Sequence, residues 1–172
     1  MTTIAGAAAL LAGCTTLGFY FAAQEGFRIQ DLLEMRKALT ILSSEIEHLR
    51  SPLPMACVNI AKRTKGAAGN LFSQFSQLLT ENEGETAYQL WSAAIQSQKK
   101  TAFLADEDWD VLDGFGKTLG YLDKQMQQGA IAQAQDYIDE KTTSLQTRQD
   151  KNKRMFRSLG VIGGLLLIVI LW

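Results

Sequence analysis

Few side chains here combine the types and spacings that covalent chemistry needs. There is one histidine, His48, and there are two cysteines, Cys14 and Cys57. Histidine titrates close to neutrality and is the usual general base, but His48 lies beside an apolar stripe with Glu45 and Glu47, the setting of a surface or half-packed residue. Cys14 falls in an apolar run and Cys57 in a helical one, so a disulfide would have to join opposite solvents. No grouping of His, Cys and carboxylates has metal-ligand spacing. Gly116-Lys117-Thr118 resembles the end of a phosphate-binding loop, but that loop needs a preceding strand and a glycine where Val111 stands. Gly114, Gly116 and Gly120 imitate a dinucleotide turn loosely, with the third glycine one place late. A small nucleotide-binding protein using Lys117 is kept only as an alternative. No catalytic centre, metal or cofactor is assigned.

The charged residues suggest contacts rather than catalysis. Glu45, Glu47, Asp106, Glu107, Asp108 and Asp110 are candidates for binding a partner, on charge alone. Asp106-Glu107-Asp108 equally suits a helix start, where carboxylates complement the macrodipole. Lys151, Lys153, Arg154 and Arg157 form a basic run that fits a membrane-flanking anchor for anionic lipids. Nucleic acid is not an expected partner: 17 Lys and Arg face 18 Asp and Glu, and no aromatic residues interleave with a basic face.

Those cations border the stretch that dictates the organisation of the chain. From Leu159 to Trp172 no side chain is charged. The run is short against the roughly 20 helical residues a bilayer core needs, but Met155 and Phe156 lengthen it and Arg157 can reach toward headgroups. Ile4 to Ala23 is a second apolar run. Leu11-Ala12-Gly13-Cys14 has the form of a lipoprotein cleavage box, and an outward-facing lipoprotein adaptor attached at Cys14 is therefore an alternative. Against it, no basic residue precedes the run, and Leu17, Phe19, Tyr20 and Phe21 continue it past Cys14. We expect transmembrane helices at 1–23 and 159–172, with 24–158 between them. Arg28, Arg36, Lys37, Lys141 and the basic run all lie between the spans, so the positive-inside rule places that interior segment in the cytosol. Ala5, Ala9 and Gly13, and likewise Gly160 and Gly164, recur every fourth position and let helices approach closely in lipid. Pairing within one chain or between copies, and so a homo-oligomer, stays open.

Within the interior segment Leu32, Met35, Leu39, Leu42, Ile46 and Leu49 alternate spacings of three and four, an amphipathic helix running on from the first span. Ser51-Pro52-Leu53-Pro54 ends it, with Ser51 placed to cap the next helix and Pro52 at its first position. Further helices are expected over Met55–Lys65, Asn70–Glu81, Glu85–Lys100, Glu107–Met126 and from Ala130 onward, with breaks between them at Gly66–Gly69, Asn82–Gly84, Ala105-Asp106 and Gln128-Gly129. The predicted fold is all-α: an antiparallel six-helix bundle flanked by N- and C-terminal transmembrane helices. Gly116 and Gly120 then share one helix face, and since each costs about 1 kcal/mol against Ala, the expected reason is a helix backbone passing close over them.

Taken together, Glu45-Ile46 with Ser51-Pro52-Leu53, then Phe115-Gly116, Leu119-Gly120 and Asp123, then Leu159-Gly160 before a glycine-rich run, resemble the stage III sporulation protein AB family of endospore-forming bacteria. The resemblance covers nearly the whole chain. Glu25 to Ile29 departs from it, with fewer basic residues than the family pattern. Members look like the inner-membrane platform proteins of type II secretion and type IV pilus machines, whose cytoplasmic domains are six-helix bundles. The resemblance implies a membrane scaffold without a catalytic centre, in the mother-cell membrane around the forespore. Its implied partners are membrane lipid, a cytosolic secretion-type ATPase similar to stage III sporulation protein AA, and other components of the sporulation channel.

Overall fold

The computed structural model describes residues 24–49, 52–81, 84–120 and 123–171, giving the backbone alone at 48–49 and 152–171. Six helices are present among the described residues and no strand. Helix α1 covers 24–44 and closes in a π turn, Glu45–Leu49. It is followed by α2 (Leu53–Arg63), α3 (Gly66–Glu81), α4 (Ala87–Gln98), α5 (Asp106–Gly116) and α6 (Lys124–Leu171).

The α1 stripe packs inward as its spacing requires. Leu32, Met35, Leu39 and Leu42 are at most 1% exposed, and Ile46 is partly buried against the core. Pro52 takes the N-cap position of α2, its carbonyl accepting from Met55 and Ala56 N–H at 2.9 and 3.1 Å. Ser51, the expected cap, lies outside the described residues. Thr86 opens α4 with a reciprocal capping box to Gln89. Trp91 of α4 forms the middle of the core, edge-on to Phe72, Phe75 and Phe115 with centroids 5.0–5.6 Å away. Its Nε1–H donates to Leu112 O at 2.8 Å, so the ring is fixed in both packing and polarity.

Two expectations need correction in the last third of the chain. The helix expected over Glu107–Met126 ends at Gly116, and residues 117–120 form a turn. Gly120 has φ +90°, a left-handed conformation that a helix interior excludes and that glycine adopts without a Cβ penalty. Asp123 then starts α6, Oδ1 accepting from Gln125 and Met126 N–H at 2.9 and 3.4 Å. The break expected at Gln128-Gly129 is absent. Gly129 is exposed and a Cβ there would meet nothing within 4 Å, and the helix carries on because Ile131, Ala134, Ile138 and Leu145 bury the next four turns of its inner face.

Helices α1 and α6 run antiparallel, side by side. Arg36 pairs with Asp139 through Nε at 2.5 Å and Nη2 at 2.8 Å. Gln135 donates to Thr40 at 2.9 Å, Ser43 donates to Gln128 at 2.6 Å, and a Cβ on Gly26 would meet Gln149 Nε2 at 3.4 Å. As one number rises the other falls, so residue 26 of α1 and residue 149 of α6 share one end of the bundle. Among the described residues no helix is long and apolar enough to cross a membrane. The expected span at 1–23, with Cys14, lies outside the described residues. At 159–172 the backbone is helical as far as Leu171.

Candidate functional site

The acidic start of α5 is where the sequence places most of its candidate contacts, and the structure divides them. Ala105 has extended backbone (φ −83°, ψ 165°) and starts the helix, which puts Asp108 at the third helical position. From there the carboxylate reaches back to accept from Ala105 N–H at 2.8 Å, half of a capping box. Asp108 is also 1% exposed. Arg28 of α1 grips it with Nε and Nη2 at 2.8 and 2.9 Å, and Tyr137 of α6 donates its hydroxyl at 2.8 Å. Glu107 turns the other way, more than half exposed, and takes Arg28 Nη2 at 2.8 Å and Lys141 Nζ at 2.6 Å.

The electrostatics follow from that geometry. Burial alone would lower the Arg28 pKa, but hydrogen bonds to Asp108 and Glu107 outweigh it and hold the guanidinium charged. Hydrogen bonds from Lys141 and Arg28 hold the Glu107 carboxyl down at about 2. Burial, then the bond to Asp108, pushes the Tyr137 phenol up. A buried ion pair contributes when its remaining lone pairs are filled, and four donors fill those of Asp108. The cluster clasps α1, α5 and α6 together and leaves no nucleophile or base unengaged.

The other candidates separate by position. Asp106 is nearly fully exposed with Lys99 Nζ 3.9 Å away, and Asp110 is exposed. Glu47 is exposed on the π turn at the opposite end of α1. Glu45 is 5% exposed, Oε1 accepting from Asn59 at 3.3 Å, and so points inward rather than toward a partner. The fold therefore does not assemble the six carboxylates into one patch. Cys57 is fully buried, and burial pushes its thiol up to about 12. No cluster of His, Cys and carboxylates able to hold a metal occurs among the described residues. Lys117 sits in the turn after α5, its Nζ 6.0 Å from the Tyr88 ring, beside an open hollow of about 650 Å³ lined by Thr86, Tyr88 and Gly120. It follows a helix where a phosphate-binding loop would follow a strand. Lys151 is exposed. The side chains of Lys153, Arg154 and Arg157, and the packing at Gly160 and Gly164, lie outside the described residues.

Comparison with known proteins decides the family. The family model described as Stage III sporulation protein AB matches residues 3–172. The chain belongs to the stage III sporulation protein AB family. A curated member from Bacillus subtilis (strain 168) is 32% identical over 171 residues, covering 99% of both chains. A solved stage III sporulation protein AB superposes with a TM-score of 0.68 at 29% identity, over 73% of this chain and 98% of that one. Membership in the stage III sporulation protein AB family supports a role in sporulation. The clasp residues Arg28, Tyr137 and Lys141 had no local signal, since Arg28 and Asp108 lie 80 positions apart in sequence.

Proposed function

We propose that the chain is a two-span membrane platform of a sporulation complex that joins mother cell and forespore, coupling a cytosolic secretion-type ATPase to the channel. The observation that carries this reading is the antiparallel pairing of α1 and α6. It directs residue 24 and the stretch after Gln149 out of one end of the bundle, toward the two apolar runs of the sequence. Helix α6 is continuous from Lys124 to Leu171, about 70 Å at 1.5 Å per residue. A displacement of the bundle is thereby passed to the C-terminal apolar run without an intervening loop. The cations from Arg148 to Arg157 set the orientation, with the bundle in the cytosol.

The ATPase then meets the end remote from the membrane, where Glu47 is exposed, rather than the α5 start, which lies beside Arg28 at the membrane end. In membranes containing the full chain, single cysteines at 47 and 126 should react with an impermeant reagent only from the cytosolic side. The ATPase should co-purify with the chain and be lost on Glu47→Lys, while Asp106→Lys leaves it bound. Labelling from outside intact cells would overturn the topology; no co-purification from intact membranes would remove the ATPase from the reading.

A further inference from the structure

Two phenylalanines stack in the open at the end where α1 begins. Phe27 of α1 and Phe103 of the α4–α5 connection have ring centroids 4.9 Å apart at 26°, yet remain 49% and 47% exposed. The pair is held in place. Phe103 N–H donates to Asp31 Oδ2 at 2.9 Å, a Cβ on Gly66 would lie 3.1 Å from Asp31 Oδ1, and Lys65 N–H donates to Glu34 at 3.0 Å. One stretch of α1 thus pins both the α2–α3 and the α4–α5 connections at this end.

Those connections bring cations with them. Arg63, Lys65 and Lys100 are exposed and form no ion pair among the described residues. Several carboxylates at this end already face a donor. Asp31 and Glu34 accept from backbone N–H groups, Asp106 faces Lys99, and Glu107 lies between Arg28 and Lys141. Two acids oppose the trend: Glu25, which is half-buried, and Asp150, which is exposed between the exposed Arg148 and Lys151. At the far end the exposed acids Glu81, Glu85 and Asp123 outnumber Lys117 and Lys124 among the described residues. Exposed aromatic rings bordered by Lys and Arg are the composition of a surface that lies in a lipid headgroup layer.

We infer that this end of the bundle seats on an anionic lipid surface, with Phe27 and Phe103 entering the interface and Arg63, Lys65 and Lys100 meeting headgroup phosphates. The inference rests on the platform reading, which brings both spans out at this end. It adds that the bundle is held against the bilayer, not tethered above it.

The test uses the full chain with Cys14→Ser, reconstituted in vesicles of phosphatidylcholine and phosphatidylglycerol carrying a headgroup spin label. A fluorophore is placed at Phe103→Cys or, as the far-end control, at Met126→Cys. Quenching at 103 should exceed that at 126 by about twofold or more, and the excess should disappear in pure phosphatidylcholine and in the R63Q/K65Q/K100Q variant. Equal quenching at both positions in protein that resists alkaline carbonate extraction overturns the seat and leaves the platform standing. An excess at 103 indifferent to lipid charge and to the triple variant overturns the anionic assignment. Self-quenching at 103 that grows with the labelled fraction gives the surface to a second copy instead. Release of the protein by carbonate overturns the platform reading, and the seat with it.

Discussion

A Cβ built on Gly116 would lie 2.0 Å from Cδ1 of Trp91 and 2.6 Å from its Nε1. The indole cannot withdraw, because Phe72, Phe75 and Phe115 surround it and Leu112 O holds its N–H. Gly116→Ala should therefore destabilise the bundle by about 1–3 kcal/mol through overpacking. Gly129→Ala, on an open face of α6, should stabilise it by about 0.5–1 kcal/mol. Urea melts of the two variants check this pair of opposite signs; a neutral Gly116→Ala would mean that the Trp91 pocket is loose.

The clasp at Asp108 gives a second expectation. Asp108→Ala leaves Arg28, largely buried, with Glu107 as its remaining carboxylate and orphans the Tyr137 hydroxyl. A loss of about 3 kcal/mol is expected. Tyr137→Phe removes one donor to the same carboxylate and should cost about 1 kcal/mol. If the two changes proved equally mild in thermal denaturation, Asp108 would not be the centre of the three-helix contact.

Acid should act through Glu107. In the unfolded chain its carboxyl takes up a proton near 4.5, and in the folded chain at about 2. The folded form thus holds fewer protons in between, and the stabilisation from Lys141 and Arg28 is complete above pH 4.5 and is lost as pH falls toward 2. The stability difference between wild type and Glu107→Gln should shrink across that window in denaturation at successive pH values. A difference that stayed constant would show that the two cations do not act on this carboxyl.

Cys57 should behave as a hydrophobic core residue. With its thiol buried and pushed up to about 12, it carries almost no thiolate at neutral pH. A maleimide should modify it in denaturant and leave it untouched in native protein. Rapid native labelling, in a Cys14→Ser background, would contradict the packing of α2.

The main features of the fold can be read from the sequence where burial imposes a period. Leu32, Met35, Leu39 and Leu42 face the core at the spacing a helix requires. Sequence reasoning failed where one residue type serves two purposes. Gly116 accommodates a tryptophan side chain rather than a helix backbone, Gly120 supplies a left-handed turn, and Gly129 does neither. In the sequence the three look alike. Among the acids, Asp106 and Asp108 differ in nothing local. Only the arrival of Arg28 and Tyr137 from distant helices turns one inward and leaves the other in water.

The pairing of α1 with α6 also fixes when the bundle is completed. Arg36 and Asp139 are 103 positions apart, and the inner face of α6 covers a core that α1 has offered since early in synthesis. A ribosome delivers that covering surface last. Whatever part of the Leu32, Met35 and Leu39 face is left open by α2 to α5 must wait, uncovered or chaperoned, until Ile131, Ala134 and Ile138 emerge behind them. The C-terminal apolar run follows on the same helix, so the core closes and this run emerges at nearly the same moment.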